Sequence, residues 1–116
     1  MRNLTLLTDL YQLTMLNGYY EKNIHEDIVV FDMFFRKNAC DGGYTIICGI
    51  EQLAEYINNL HFSEDDLDYL RSLNLFSEGF LNFLKDFKFT GDIYAVEEGT
   101  VMFPGEPIIT VKAPLY

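Results

Sequence analysis

Positive charge is what this sequence has least of: eight Lys and Arg stand against eighteen Asp and Glu, for a formal net charge of −10. So acidic a chain has no general attraction for the phosphates of nucleic acid or for an anionic membrane, and neither is expected as a partner. Trp is absent and there are only two Cys and two His. Cys40 and Cys48 have a spacing that fits no zinc or redox motif, and nothing at the N-terminus resembles a signal peptide. Two free thiols suit a reducing cytosol, so a cytoplasmic location is expected. No apolar run approaches the roughly 20 residues needed to span a bilayer. The chain also lacks a Gly-rich phosphate loop, metal-ligand spacing and a Ser, His and Asp constellation. His25, in a polar connection, and His61, just after a helical stretch, read as surface or capping residues. A whole active site is not evident.

What the chain does have is apolar and aromatic mass. With 116 residues and 49% hydrophobic content, one domain with one core is expected, burying roughly two-thirds of the surface the unfolded chain exposes. Ten Phe and eight Tyr are many for a domain of this size and suggest an interface. From Leu10 to Tyr20 no residue is charged. Asp9 is a good N-cap with Gln12 three residues on, and the helix they open carries two apolar stripes: Leu13, Leu16 and Tyr20 on one, Tyr11, Met15 and Tyr19 on the other. The domain's own core can cover one stripe. A second apolar face requires another domain or another chain.

Ile28 to Phe35 reads as a strand interrupted only by Asp32, and its apolar character on both faces predicts a central position in the sheet. Arg36 to Gly43, with Asn38, Asp41 and Gly42-Gly43, reads as a loop returning the chain to the sheet. Tyr44 to Cys48 is the next strand, and Gly49 opens a helix with Ile50, Leu53, Ala54, Ile57 and Leu60 at helical spacing. Ser63 and Ser77 start two shorter helices, with core stripes Leu67, Leu70 and Leu73, then Phe80, Leu81, Leu84 and Phe87. The acidic cluster Glu64-Asp65-Asp66-Asp68 is a solvated helix start. Strands are predicted near Asp92 to Glu97, Thr100 to Phe103 and Ile108 to Lys112, divided by Glu98-Gly99 and Pro104-Gly105. Helices in the middle with strands at both ends give an α+β fold.

Two residue types stand out as candidate contributors to a site. Tyr11 presents a flat ring in the first turn of a capped helix, where backbone N–H groups favour an anion, a combination that suits an aromatic carboxylate. On spacing alone the reading as core or interface packing is the stronger one. Arg36-Lys37 is the only adjacent basic pair, which fits either a local anion site or an ordinary surface pair.

Three ordered blocks carry a family resemblance. Thr8-Asp9-Leu10-Tyr11-Gln12-Leu13-Thr14-Met15 resembles the opening signature of nicotinate phosphoribosyltransferases. Phe34-Phe35-Arg36-Lys37 with Gly42-Gly43, and Glu98 to Ile109, match further blocks in the same order and together span nearly the whole chain. The resemblance implies a homodimeric enzyme of NAD salvage that joins nicotinate to phosphoribosyl pyrophosphate. It implies that Tyr11 contacts the pyridine ring from the neighbouring subunit with Asp9 beside it, and that Arg36 lies near the phosphates of phosphoribosyl pyrophosphate. It further implies coupling to ATP hydrolysis through a phosphorylated histidine, with Mg2+. Leu10 and Gln12 within the Asp-Leu-Tyr-Gln word resemble the nicotinate rather than the nicotinamide branch. Such transfer passes through a cationic, loosely bonded sugar, so it depends on positioning the ring nitrogen and stabilising anionic oxygens.

The resemblance reaches Pro114-Leu115-Tyr116, where family members enter a catalytic α/β barrel, and neither His25 nor His61 matches the context of the catalytic histidine. Residues 1–116 are therefore expected to form a single N-terminal domain, inactive alone, without catalytic or metal-binding residues of its own. Its expected fold is α+β, with a mixed or antiparallel sheet, packed helices and a C-terminal hammerhead-like β-hairpin element. Two other classes compete: a stand-alone dimerising domain without activity, and a carrier module like biotinyl and lipoyl domains. A carrier needs a Lys at a hairpin tip, and Met102-Phe103-Pro104-Gly105 has none.

Overall fold

The computed structural model describes residues 3–116. Local signals set the helices. Asp9 and Gln12 form a capping box, in which Gln12 Oε1 accepts the Asp9 N–H at 3.1 Å, and α1 runs Leu10–Glu21. Helix α2, Ile50–Asn59, begins after Gly49, whose φ of 112° lies in the left-handed region. Ser63 Oγ accepts the Asp66 N–H to open α3, Glu64–Ser72, and Ser77 Oγ accepts the Phe80 N–H to open α4, Glu78–Lys85. At α3 and α4 a short side chain thus satisfies an N–H that the first turn leaves without a partner.

The strands are placed by distant partners. In the main sheet β1, Ile28–Met33, and β3, Asp92–Ala95, both pair antiparallel with β5, Ile109–Pro114, in the order β1-β5-β3. Ile28 faces Pro114 and Met33 faces Ile109. The connection from β3 to β5 makes an excursion: β4, Val101–Met102, pairs with β2, Thr45–Ile46, as a separate two-stranded ladder. β3 and β5 are thus the arms of one wide antiparallel hairpin, as expected for the C-terminal element. Gly91, just before β3, is required by close approach, since a Cβ there would lie 2.3 Å from Ala113 Cβ and 2.7 Å from the Lys112 carbonyl oxygen.

Two expectations are corrected. β1 is an edge strand rather than a central one, and it ends at Met33. Ile28, Val30, Phe31 and Met33 stay open to solvent, with Phe31 64% exposed, and only Val29 is half-buried. The single core is also two. Leu13, Leu67, Leu70, Phe80, Leu81 and Leu84 bury one between α1, α3 and α4. Ile47, Met102, Ile108 and Ile109 form the other, with Ile50 and Leu53 of α2 packed against it. The molecule is accordingly long, 49 × 29 × 24 Å with a radius of gyration of 16.5 Å, against about 13 Å for a compact 100-residue domain.

Candidate functional site

Helix α1 delivers the first two candidate residues. Leu13 is buried in the helical core and Leu16 and Tyr20 pack against it, so the stripe that contains them faces inward. On the opposite stripe Tyr11 and Met15 are exposed, Tyr11 to 60%, while Tyr19 is half-buried, and Leu10 beside Tyr11 is exposed as well. Asp9 holds the first turn through the capping box, which fixes the backbone that carries Tyr11. Tyr11 is therefore not a core residue of this chain.

Arg36 lies elsewhere, just beyond β1 in the sheet lobe, and is exposed. Among the described residues its guanidinium makes no ion pair. Asp9 and Tyr11 thus share one helix turn, whereas no hydrogen bond or ion pair among the described residues brings Arg36 to them. Lys37, the other half of the basic pair, lines a groove of about 520 Å³ with Phe35, Ala39, Ile47, Cys48 and Ile109.

The segment after Arg36 turns tightly. Cys40 and Asp41 both have positive φ, 54° and 53°, in a 3-10 turn over Ala39–Asp41. Thr45 Oγ1 donates to Asn38 Oδ1 at 3.1 Å and ties the turn to β2. Cys40 and Cys48 are free and exposed.

Both ends of this segment are held by the β3–β5 connection. The Gly105 N–H donates to the Phe35 carbonyl at 2.9 Å, beside Arg36. At the other end the Ile47 N–H donates to Thr100 O (2.9 Å) and the Gly99 N–H to Ile47 O (2.8 Å). The Glu98 carboxylate then accepts the N–H groups of Gly49 (3.0 Å), Ile50 (2.7 Å) and Glu51 (3.2 Å) at the start of α2. These backbone donors, that of Glu51 first, hold the Glu98 carboxyl below the usual carboxylate range against the opposing effect of desolvation. The anion-binding end of α2 is consequently already filled by the chain's own carboxylate. Gly99, with φ +82°, supplies the reversal that directs Glu98 to the helix. Sequence reading placed Glu98 in a turn and missed this role, because the donors it meets are nearly fifty positions away.

The histidines divide. His61 is exposed, its Nδ1 2.6 Å from the Asn59 carbonyl oxygen. His25 is not the surface residue expected of a polar connection. Its side chain is only 14% exposed, with ring centroids 5.2 Å from Tyr20 and 5.0 Å from Phe83, and it joins α1, α4 and the final residue Tyr116 in one aromatic cluster.

Among the described residues no group of three or more His, Cys, Asp or Glu is placed to hold a metal ion. The residues present do not fit a magnesium site, and no step of chemistry is assigned to one. Among the described residues no helix is long and apolar enough to cross a membrane.

Comparison with known proteins gives one consistent result. Residues 6–116 match the family described as nicotinate phosphoribosyltransferase (NAPRTase) N-terminal domain. A nicotinate phosphoribosyltransferase of Mycobacterium tuberculosis is 41% identical over 110 residues, covering 95% of this chain and 24% of that protein. The Bacillus subtilis enzyme is 40% identical over 113 residues, covering 97% and 23%. The crystal structure of human nicotinic acid phosphoribosyltransferase superposes with a TM-score of 0.83 at 28% identity, over 93% of this chain and 22% of that one. The chain spans about a quarter of the length of these relatives.

Proposed function

Because the chain belongs to the family of nicotinate phosphoribosyltransferase N-terminal domains, we propose that it is the part of such an enzyme that completes the substrate site and contributes to a homodimer. The parent reaction joins nicotinate to phosphoribosyl pyrophosphate, coupled to ATP hydrolysis with Mg2+, and yields nicotinate mononucleotide for NAD salvage in the cytoplasm. The chain alone is inactive in this reading, since neither His25 nor His61 matches the context of the family's catalytic histidine and Tyr11, Asp9 and Arg36 supply only part of a substrate site.

The observation that carries the reading is the Tyr11 ring, exposed on a helix whose other face is sealed against a core. A side chain in that position is free to meet a ligand or a second subunit. Tyr11 stacks on the pyridine ring, Asp9 sits beside it and keeps the helix turn in place, and Arg36 offers its planar fork to the departing pyrophosphate oxygens. Leu10 and Met15, exposed around Tyr11, supply apolar surface for the subunit contact.

The test uses the parent enzyme. Tyr11→Ala should raise the nicotinate KM about tenfold, because stacking contributes about 0.5–1.5 kcal/mol beyond area burial, and Tyr11→Phe should raise it much less. If the contact is made across subunits, mixing Tyr11→Ala subunits with subunits lacking the barrel histidine should restore part of the activity, since one composite site keeps both groups. No recovery in heterodimers shown to form would remove Tyr11 from the partner's site.

A further inference from the structure

The β3–β5 connection touches the Arg36 segment at both ends, and the hydrogen bonds there are backbone to backbone and could be made by any residue, while Met102 and Ile108 add apolar packing against Ile47. Glu98 is different. Among the described residues it is the one side chain in the connection that hydrogen-bonds to α2, and its carboxylate gathers three consecutive N–H groups. Between that contact and Arg36 lie the Gly99–Ile47 and Ile47–Thr100 bonds, the β2–β4 ladder and the Gly105–Phe35 bond. These form a continuous series in which each link fixes the register of the next.

We propose that Glu98 is a positioning residue for Arg36: by anchoring the 98–105 strap to the start of α2, its carboxylate holds the segment from Phe35 to Cys48 in place. The geometry alone supports the strap. Its meaning for catalysis rests on the pyrophosphate reading of Arg36 given above. A carboxylate is needed because it can accept several N–H groups at once and because its charge is favoured at a helix N-terminus. Two Gly residues with positive φ, Gly99 and Gly105, flank the strap and let it reverse direction at each end.

A plain helix cap and a positioning strap make different predictions for one amide. If Glu98 merely caps α2, Glu98→Gln loosens only Gly49, Ile50 and Glu51. If it positions Arg36, the Gly105 amide, bonded to the Phe35 carbonyl next to Arg36, loosens with them. Hydrogen exchange on the 116-residue chain should show the amides of Gly49, Ile50, Glu51 and Gly105 exchanging about fivefold faster in Glu98→Gln, with Leu70 and Leu84 of the helical core unchanged. Unchanged exchange at Gly105 overturns the proposal. Should Glu98→Gln fail to fold, acid titration of the native chain serves instead: the Gly105 amide shift should follow the same midpoint as the Glu98 carboxyl, and a different midpoint overturns the proposal.

The catalytic consequence is read in the parent enzyme. Glu98→Gln should raise the KM for phosphoribosyl pyrophosphate about tenfold with kcat within twofold, and should add little to Arg36→Ala. A loosened Gly105 with an unchanged KM upholds the strap and counts against Arg36 as the pyrophosphate ligand. An unchanged Gly105 beside a KM effect of Arg36→Ala does the reverse.

Discussion

The helical lobe, with a core of Leu and Phe, and the sheet lobe, with a core of Ile and Met, close to different degrees. In the helical lobe Phe80 and Leu84 have no exposure at all, and Leu70 and Leu81 have 1%. In the sheet lobe the best-buried residues, Ile47 and Ile108, keep 6%, and Phe31, Val30 and Tyr94 on the edge strands are largely open. Three helices can seal a core between them, whereas three strands with one helix beside them leave surface that none of the described residues covers. The lobe complete by itself carries Tyr11 on its outer face. The incomplete one carries Arg36 on a strapped segment.

The sharpest way to break this distinction is to cut a cavity in each lobe. Phe80→Ala should destabilise the chain by about 3–5 kcal/mol, and Ile109→Ala by about 2–3 kcal/mol, because a partly open site loses less on truncation. Urea unfolding measures both, and equal losses would show the sheet core to be as well sealed as the helical one. Gly91→Ala should cost about 1–3 kcal/mol by pushing β3 off β5, since the added Cβ would meet Ala113 at 2.3 Å. Its effect should appear as faster exchange in β3 and not in α3 or α4.

Salt should separate the lobes electrostatically. Glu64 on α3 is held below the usual carboxylate range by its hydrogen bond to Lys85 and by that cation's charge, while Glu98 is held there by backbone N–H groups. In both cases the depressed carboxyl contributes stability that is present above the ordinary Glu range and is lost as pH falls through the lower folded value. Raising salt to about 1 M, where the Debye length is about 3 Å, should return the Glu64 titration toward its ordinary midpoint and move Glu98 less. Equal movement of both would mean that Glu98 is held by diffuse charge and not by its donors. The smallest effect is expected at Tyr11, where Tyr11→Ala should change stability by no more than about 0.5 kcal/mol, as at other exposed positions. A loss above about 1 kcal/mol by urea unfolding would make Tyr11 a packing residue after all.

What could be read from the sequence follows from range. Asp9, Gly49, Ser63 and Ser77 announced their helices because a cap acts within three residues of itself, and the stripes around Leu70 and Phe80 announced the helical core for the same reason. The strands were found, but β1 was placed centrally because Ile28 to Phe31 is apolar on both faces. Its true position depends on β5, and no local pattern states how many neighbours a strand will have. His25 was misplaced for a similar reason: Glu26 and Asp27 beside it are polar, whereas Phe83 and Tyr116, which enclose it, are far along the chain. In the candidate site, the blocks containing Tyr11 and Arg36 were visible as words, but the bonds by which the third block holds the second were not.

The central strand of the main sheet is also the last to be synthesised. Met33 finds its partner Ile109 only after roughly 80 further residues have been made, which at about 5–20 residues per second takes roughly 4–16 s. Through that interval the run Ile28-Val29-Val30-Phe31 has no strand to pair with, while α1, α3 and α4, all earlier than β5, can already close their core. On the ribosome the helical lobe is thus the first stable body, and the β1 segment is the stretch most exposed to mispairing or to a chaperone.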